Sequence, residues 1–158
     1  MRVDWDASIP KTQRQQCADW IRGHAEWTWW ATLTFKYSIS RDAAVRAFKE
    51  WLRTVAVGVI GDHVKVAWSV EGSERDHTHL HLVMALPPTT NRRQIRTIES
   101  LWRGADSRAG FTSFEPYNPS LNGVLYLLKG NDWDVSVGCP RRPECRKKNG
   151  CRVLPGPY

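Results

Sequence analysis

The chain has 158 residues and a mass of 18.2 kDa, the size of one ordinary domain, and its 41% hydrophobic and 25% charged residues supply a core and exclude wholesale disorder. With 23 basic against 16 acidic side chains the net charge is +7, which directs attention to a polyanionic partner, nucleic acid first. No apolar run approaches the roughly 18 residues of a membrane span and the first ten residues show no basic-then-apolar leader, so a cytoplasmic protein without membrane contact is expected.

The first element is expected at Lys11 to Gly23, where Cys17, Trp20 and Ile21 recur at helical spacing and Gly23 is placed to stop a helix. Thr28 to Phe35, TWWATLTF, is rich in β-branched and aromatic residues and predicts a strand. Alternation sets Trp29, Ala31, Leu33 and Phe35 on its apolar face and Thr28, Trp30, Thr32 and Thr34 on the other. Ser40 can cap a helix running to about Val55, with Ala44, Phe48, Trp51, Leu52 and Val55 as its apolar stripe.

A second strand is expected over Val64 to Glu71, a polar turn over Gly72 to Asp76, and a third strand over His77 to Leu86, ended by Pro87 and Pro88. In the third strand Leu80, Leu82, Met84 and Leu86 point to the core, and His77, His79, His81 and Val83 share the opposite face. Thr89 to Trp102 reads as a helix with Ile95, Ile98, Leu101 and Trp102 inward and Gly104 as its stop, followed by a short strand around Phe111 to Glu115. Asn118 can cap a last helix, Pro119 fits its first turn and Gly130 follows its end.

Strand, helix, strand, strand, helix, strand, helix is the order of an α+β fold: a ferredoxin-like or RRM-like βαββαβ palm with an antiparallel sheet and one appended helix. The expected division is a domain over residues 1 to 137 and a basic, cysteine-containing tail over 138 to 158, with no element assigned from about Asn131. Nine tryptophans are scattered without a repeat period, and most fall where core packing explains them. The tail holds 6 basic and 1 acidic residue, net +5, against net +2 for the rest, so the polyanion signal is mostly tail. Cys139, Cys145 and Cys151 stand at C-x5-C-x5-C, wider than a zinc knuckle. A structural zinc there would need a fourth ligand such as Cys17 or His24; the alternative is a basic tail with incidental thiols.

The chemistry is concentrated in two short segments. In HTHLHLVMAL, His79 and His81 project from one face of a strand, close enough for both imidazoles to reach one divalent metal. Glu71, on the neighbouring strand of a hairpin, is the best third ligand, and two imidazoles with one carboxylate leave positions open for a phosphate oxygen. His77 faces the same way but lies nearer the turn, as an auxiliary donor or a spare surface residue. In SLNGVLYLLKG, the polar residues Asn122, Tyr126 and Lys129 follow four-then-three helical spacing beside an apolar stripe. A phenol is a poor nucleophile at its ordinary pKa of about 10, so attack by Tyr126 needs a polarised phosphate and a cation such as Lys129. The other reading is an ordinary amphipathic helix.

Taken in order, Leu33-Thr34-Phe35, Glu71, His79-Leu80-His81 and Tyr126-Leu127-Leu128-Lys129 resemble the HUH endonucleases, specifically the single-tyrosine rolling-circle replication initiators of the Rep class. The resemblance spans roughly residues 28 to 130. It implies nicking and joining of single-stranded DNA at the origin hairpin or loop of a plasmid or virus, through a 5′-phosphotyrosine intermediate made by Tyr126. It also implies magnesium or manganese on His79, His81 and Glu71, with Lys129 balancing charge. Candidate DNA contacts are Thr32 and Thr34 on the sheet and Arg141, Arg142, Arg146, Lys147 and Lys148 in the tail. No G-x-x-x-x-G-K-[ST] is present, so a helicase and a polymerase would come from a prokaryotic host cell. A single-tyrosine transposase of the same superfamily and a non-enzymatic RRM-like nucleic-acid-binding module are the alternatives.

Overall fold

A computed structural model describes residues 11–72, 77–130 and 132–138. Helix α1 spans Lys11–His24, strand β1 Trp29–Phe35, helix α2 Arg41–Val55, strand β2 Val64–Glu71 and strand β3 His79–Ala85. Helix α3 spans Arg92–Ala105, strand β4 Ala109–Pro116, helix α4 Gly123–Leu127 and strand β5 Trp133–Gly138. All five strands pair antiparallel in one open sheet, in the order β4-β1-β3-β2-β5. The chain is therefore α+β, and the order of its first four strands is compatible with the expected split βαβ arrangement.

Helices α2 and α3 cover one face of this sheet. Ser40, in extended backbone, accepts a bond from the Ala43 amide at 3.3 Å and so starts α2, whose stripe Ala44, Phe48, Trp51, Leu52 and Val55 is buried. A π-helical turn over Ala56–Ile60 extends the helix until Gly61 ends it in left-handed backbone. Helix α3 starts three residues later than its apolar pattern suggests. Thr89 and Thr90 are used in a turn closed by Thr90 N–H to the Pro87 carbonyl, and Asn91 then caps with Gln94 in a reciprocal box of two 3.0 Å bonds. Neither Gly23 nor Gly104 stops its helix; α1 and α3 each run one residue past it.

The core on this face is built from the apolar sides of β1 to β4, including Leu33, Phe35, Val66, Trp68, Leu80, Leu82 and Met84. Tryptophan packs here as expected. Trp51 donates its indole N–H to the Ile98 carbonyl, Trp68 to the Ser136 hydroxyl and Trp102 to the Thr34 carbonyl, each near 3 Å, so three large rings are buried without an orphaned donor. Trp20 departs from expectation: it is 45% exposed and lies against the His24 ring rather than in the core.

The opposite face is covered only in part. Helices α1 and α4 pack over Ala67, Val83 and Val135 with Trp30 at the margin, and leave Thr32, Thr34, Ser69, Glu71, His79 and His81 beyond them. The site is thus the uncovered half of one sheet face.

Two sequence expectations are corrected. No element is expected from about Asn131, yet Trp133–Gly138 adds β5 to the free edge of β2, tied in by Val70 N–H to the Asp132 carbonyl and by the Arg41 to Asp132 ion pair at 2.7 Å. The expected helix from Asn118 to Gly130 is interrupted. Asn118 caps a single 3-10 turn, Pro119–Leu121, and Asn122 then adopts left-handed backbone (φ 52) before the five residues of α4. The break lets Gly123 lie against Trp30 and Tyr117, where a Cβ would meet ring atoms at 3.0 and 3.2 Å. The tail residues Cys139, Arg141, Arg142, Cys145, Arg146, Lys147, Lys148 and Cys151 lie outside the described residues, so the zinc and tail-DNA expectations do as well.

Candidate active site

Strand register assembles the site. Glu71 pairs with His79, which pairs with Thr34; two residues along, Ser69 pairs with His81, which pairs with Thr32. Directly opposed side chains on one face of a sheet lie within about 5.5 Å at Cβ, so these rows must meet. Gly72 holds the end of the hairpin. Its φ is +124, and a Cβ there would approach the Thr78 Cα to 2.8 Å, so only glycine lets the chain leave Glu71 this close to the next strand.

Three basic groups converge on one oxygen. Glu71 Oε2 lies 3.4 Å from His79 Nε2, 3.7 Å from His81 Nε2 and 3.6 Å from Lys129 Nζ. The other carboxylate oxygen, Oε1, is buried and accepts no hydrogen bond. Ser69 Oγ, on the same face of β2, is likewise buried without a partner, although its position in the alternation would have placed it here.

The imidazoles are aimed from behind. His79 Nδ1 donates to the His77 carbonyl at 2.9 Å, which holds a proton on Nδ1 and turns Nε2 toward Glu71. His77 therefore serves through its backbone; its own ring is exposed and lies 3.4 Å from the Phe35 carbonyl. His81 Nδ1 is bonded to the Thr32 hydroxyl at 3.1 Å, and its ring is stacked on Trp30 with Tyr126 and His79 at its edges, 5.0 and 4.9 Å away. Thr34 Oγ1 donates to the Phe111 carbonyl at 2.7 Å. Both threonines sit on the open face as expected, with their hydroxyls engaged inside the protein.

Electrostatics follow from burial and from this crowding. Burial raises the Glu71 carboxyl, but the bond to His79 and the charges of His81 and Lys129 outweigh it and hold the group below its usual value. His79 is raised by its bond to Glu71. Burial, aided by His79 and Lys129 against Glu71, pushes His81 down to about 4, so it is neutral at physiological pH.

Tyr126 and Lys129 are brought to the same place, though not by one continuous helix. The chain turns after Leu127 so that Lys129 Nζ reaches Glu71 and also stands over the Tyr126 ring, 5.2 Å from its centre. Asn122 is not drawn into the cluster; its carbonyl accepts the Tyr126 amide and its backbone forms the left-handed junction.

Among the described residues Glu71, His79 and His81 form one group whose ligand atoms lie within 4.8 Å of one another. This group can hold a metal ion. The donor set fits, because two imidazole nitrogens turned toward one carboxylate oxygen are what a divalent cation takes. No helix among the described residues is long and apolar enough to cross a membrane. Comparison with protein-family models, with curated proteins and with solved structures finds no match to the chain.

Proposed function

We propose that the chain is a metal-dependent endonuclease of single-stranded DNA, a HUH nickase of the Rep class on a ferredoxin-like palm, that cuts and rejoins an origin to initiate rolling-circle replication. The observation that carries this reading is the convergence of Glu71, His79, His81 and Lys129 with the partly exposed phenol of Tyr126 on the open half of the sheet.

In this reading a phosphate lies over the Glu71, His79 and His81 group. Glu71, His79 and His81 would hold magnesium or manganese there, and the ion would supply Lewis-acid chemistry to the phosphate. The Tyr126 oxygen, its proton given to solvent, forms a bond to phosphorus while the bond from phosphorus to the 3′-oxygen breaks; the leaving oxygen takes up a proton from solvent as a 3′-hydroxyl. Tyr126 then carries the 5′-phosphate. Lys129, between the phenol and Glu71, stabilises negative charge on the tyrosine oxygen and on the phosphate. Joining is the same step reversed. Extension from the 3′-hydroxyl would rely on a host helicase and polymerase in a prokaryotic cytoplasm, and the substrate would be an exposed hairpin or loop.

The test is incubation with a random pool of single-stranded oligonucleotides and manganese, followed by sequencing of DNA left covalently attached after denaturation. Adducts are expected with the natural chain, none in EDTA, and a loss of at least about 1,000-fold with Tyr126→Phe while strand binding persists. An adduct that survives Tyr126→Phe would refute the nucleophile, and full activity in EDTA would refute the metal. Binding without any adduct would instead favour the RRM-like module.

A further inference from the structure

Tyr126 and His81 each border a second feature. A cavity of about 230 Å³ opens beside them, and Glu71, His79 and Lys129 are not among its walls. The rings of Trp30, Tyr117 and Tyr126 and the side chain of Leu121 give it an apolar interior, and Glu115 and Asn118 supply polar groups. Its shape is set by the backbone. Gly123 packs directly on the Trp30 and Tyr117 rings, and the left-handed Asn122 carries the chain around the opening. Trp30 is held in turn by its stack on His81 at 5.6 Å and by Tyr126 at its edge.

We infer that this cavity takes the base of the nucleotide whose 5′-phosphate Tyr126 attacks, and that it selects a base bearing an amino group. The inference rests on the nuclease reading for the identity of its occupant. Three features support it. The volume is below the roughly 300 to 1,000 Å³ of sites for drug-sized ligands, so it suits one planar ring system with the sugar left outside. Aromatic walls offer stacking, the interaction by which unpaired bases are held. The position is dictated by the reaction: a strand joined to Tyr126 has its first base within one nucleotide of the phenol, and this cavity shares the phenol as a wall.

The polar groups set the selectivity. Glu115 stands opposite Trp30 in the β1 to β4 register, on the same face, and its carboxylate can only accept hydrogen bonds. It therefore favours guanine, adenine or cytosine, which present an exocyclic amino group, over thymine, whose single N–H at N3 lies between two carbonyl acceptors that a carboxylate repels. Asn118 Oδ1 already accepts from the Ser120 amide and hydroxyl, which leaves the Asn118 NH2 as a donor to a ring nitrogen or carbonyl of the base. The same contacts persist in the covalent intermediate. The cavity thus keeps the 5′ end of the cut strand in place for rejoining.

The covalent pool reports this directly, because the first nucleotide of each trapped strand is the one in question. Thymine at that position is expected to be depleted about tenfold, as is an abasic residue in a synthetic substrate. Glu115→Gln, which adds a donor, should restore thymine, and Leu121→Trp, at a side chain 76% exposed, should fill the opening and remove the base preference without disturbing the fold. A random first nucleotide, or a preference indifferent to Glu115→Gln, overturns the inference. A second measurement needs no cleavage. Titration of the isotope-labelled chain with dGMP or dAMP should shift the Tyr117 and Gly123 amides and the Trp30 indole N–H, and dTMP or deoxyribose 5-phosphate should not. If those shifts occur but no adduct ever forms, the nuclease reading fails and the base site stands. If adducts form with a random first base and no shifts, the base site alone fails.

Discussion

His81 shows how closely its surroundings fix a single side chain. Trp30 supports one face of the ring, Thr32 bonds Nδ1, and burial keeps the imidazole neutral with Nε2 turned toward Glu71. A neutral, aimed imidazole beside an orphaned carboxylate oxygen costs the folded state something that a cation would repay. Manganese is therefore expected to raise the melting temperature, with a stabilisation of about 2.7 kcal/mol at a hundredfold excess over its dissociation constant. The shift should reverse in EDTA and be lost in His81→Ala. A melting curve indifferent to manganese in the natural chain would remove the metal from the site. At this scale the sequence is most legible: alternate histidines on a strand and a carboxylate on its hairpin partner can meet by register alone, and they do. What alternation could not show is the support behind them, since Thr32 and Trp30 come from a strand nearly fifty residues away.

The elements were less evenly readable. Strands with strict alternation and helices with a full apolar stripe fall where expected to within a few residues, because burial of one face leaves them no alternative. Strand β5 escaped because it is six residues long, ends in glycine and carries an aspartate, although Trp133, Val135 and Val137 do alternate with Asp134 and Ser136. The tyrosine helix was overread for the opposite reason. Its caps are good, but the left-handed residue at Asn122 answers to the packing of Gly123 on Trp30, a contact distant in sequence. Asp134 gives β5 a measurable signature. Burial raises its carboxyl above the ordinary value, against the opposing pull of the Val135 amide and of Lys49 and Arg41. A carboxyl raised in the folded state loses stability as pH climbs from its ordinary value through the raised one, so the cost is complete at neutral pH and absent below about 3.8. Asp134→Asn keeps the oxygen that accepts from the Val135 amide and should therefore raise the midpoint of thermal unfolding at pH 7, with the gain vanishing toward pH 3.5. An equal gain at both pH values would show that desolvation of the charge is not the cause.

Across the whole molecule the sheet is sealed by α2 and α3 on one side and half covered by α1 and α4 on the other. The order of strands explains why distant residues share the site: β3 lies between β1 and β2, so a motif from each strand lands in one row. Topology of this kind was readable from the succession of elements, whereas the division of the second face into a packed half and an open half was not, since it depends on where two short helices come to rest. That division carries a tension. Glu71 Oε1 and Ser69 Oγ are buried beside the open half with nothing to bond, and unsatisfied polar atoms weaken a fold. Ser69→Ala, which removes an unpaired buried hydroxyl, should therefore raise the melting temperature, whereas Glu71→Leu takes the anion away from His79 and Lys129 and should lower it. A complete substitution scan scored for cellular abundance should find small apolar residues favoured at 69 and disfavoured at 71; equal tolerance of them at both positions would mean that the unpaired Ser69 hydroxyl costs the fold nothing. Selection for endurance alone would thus strip the lone hydroxyl from the open face and spare the carboxylate beside it.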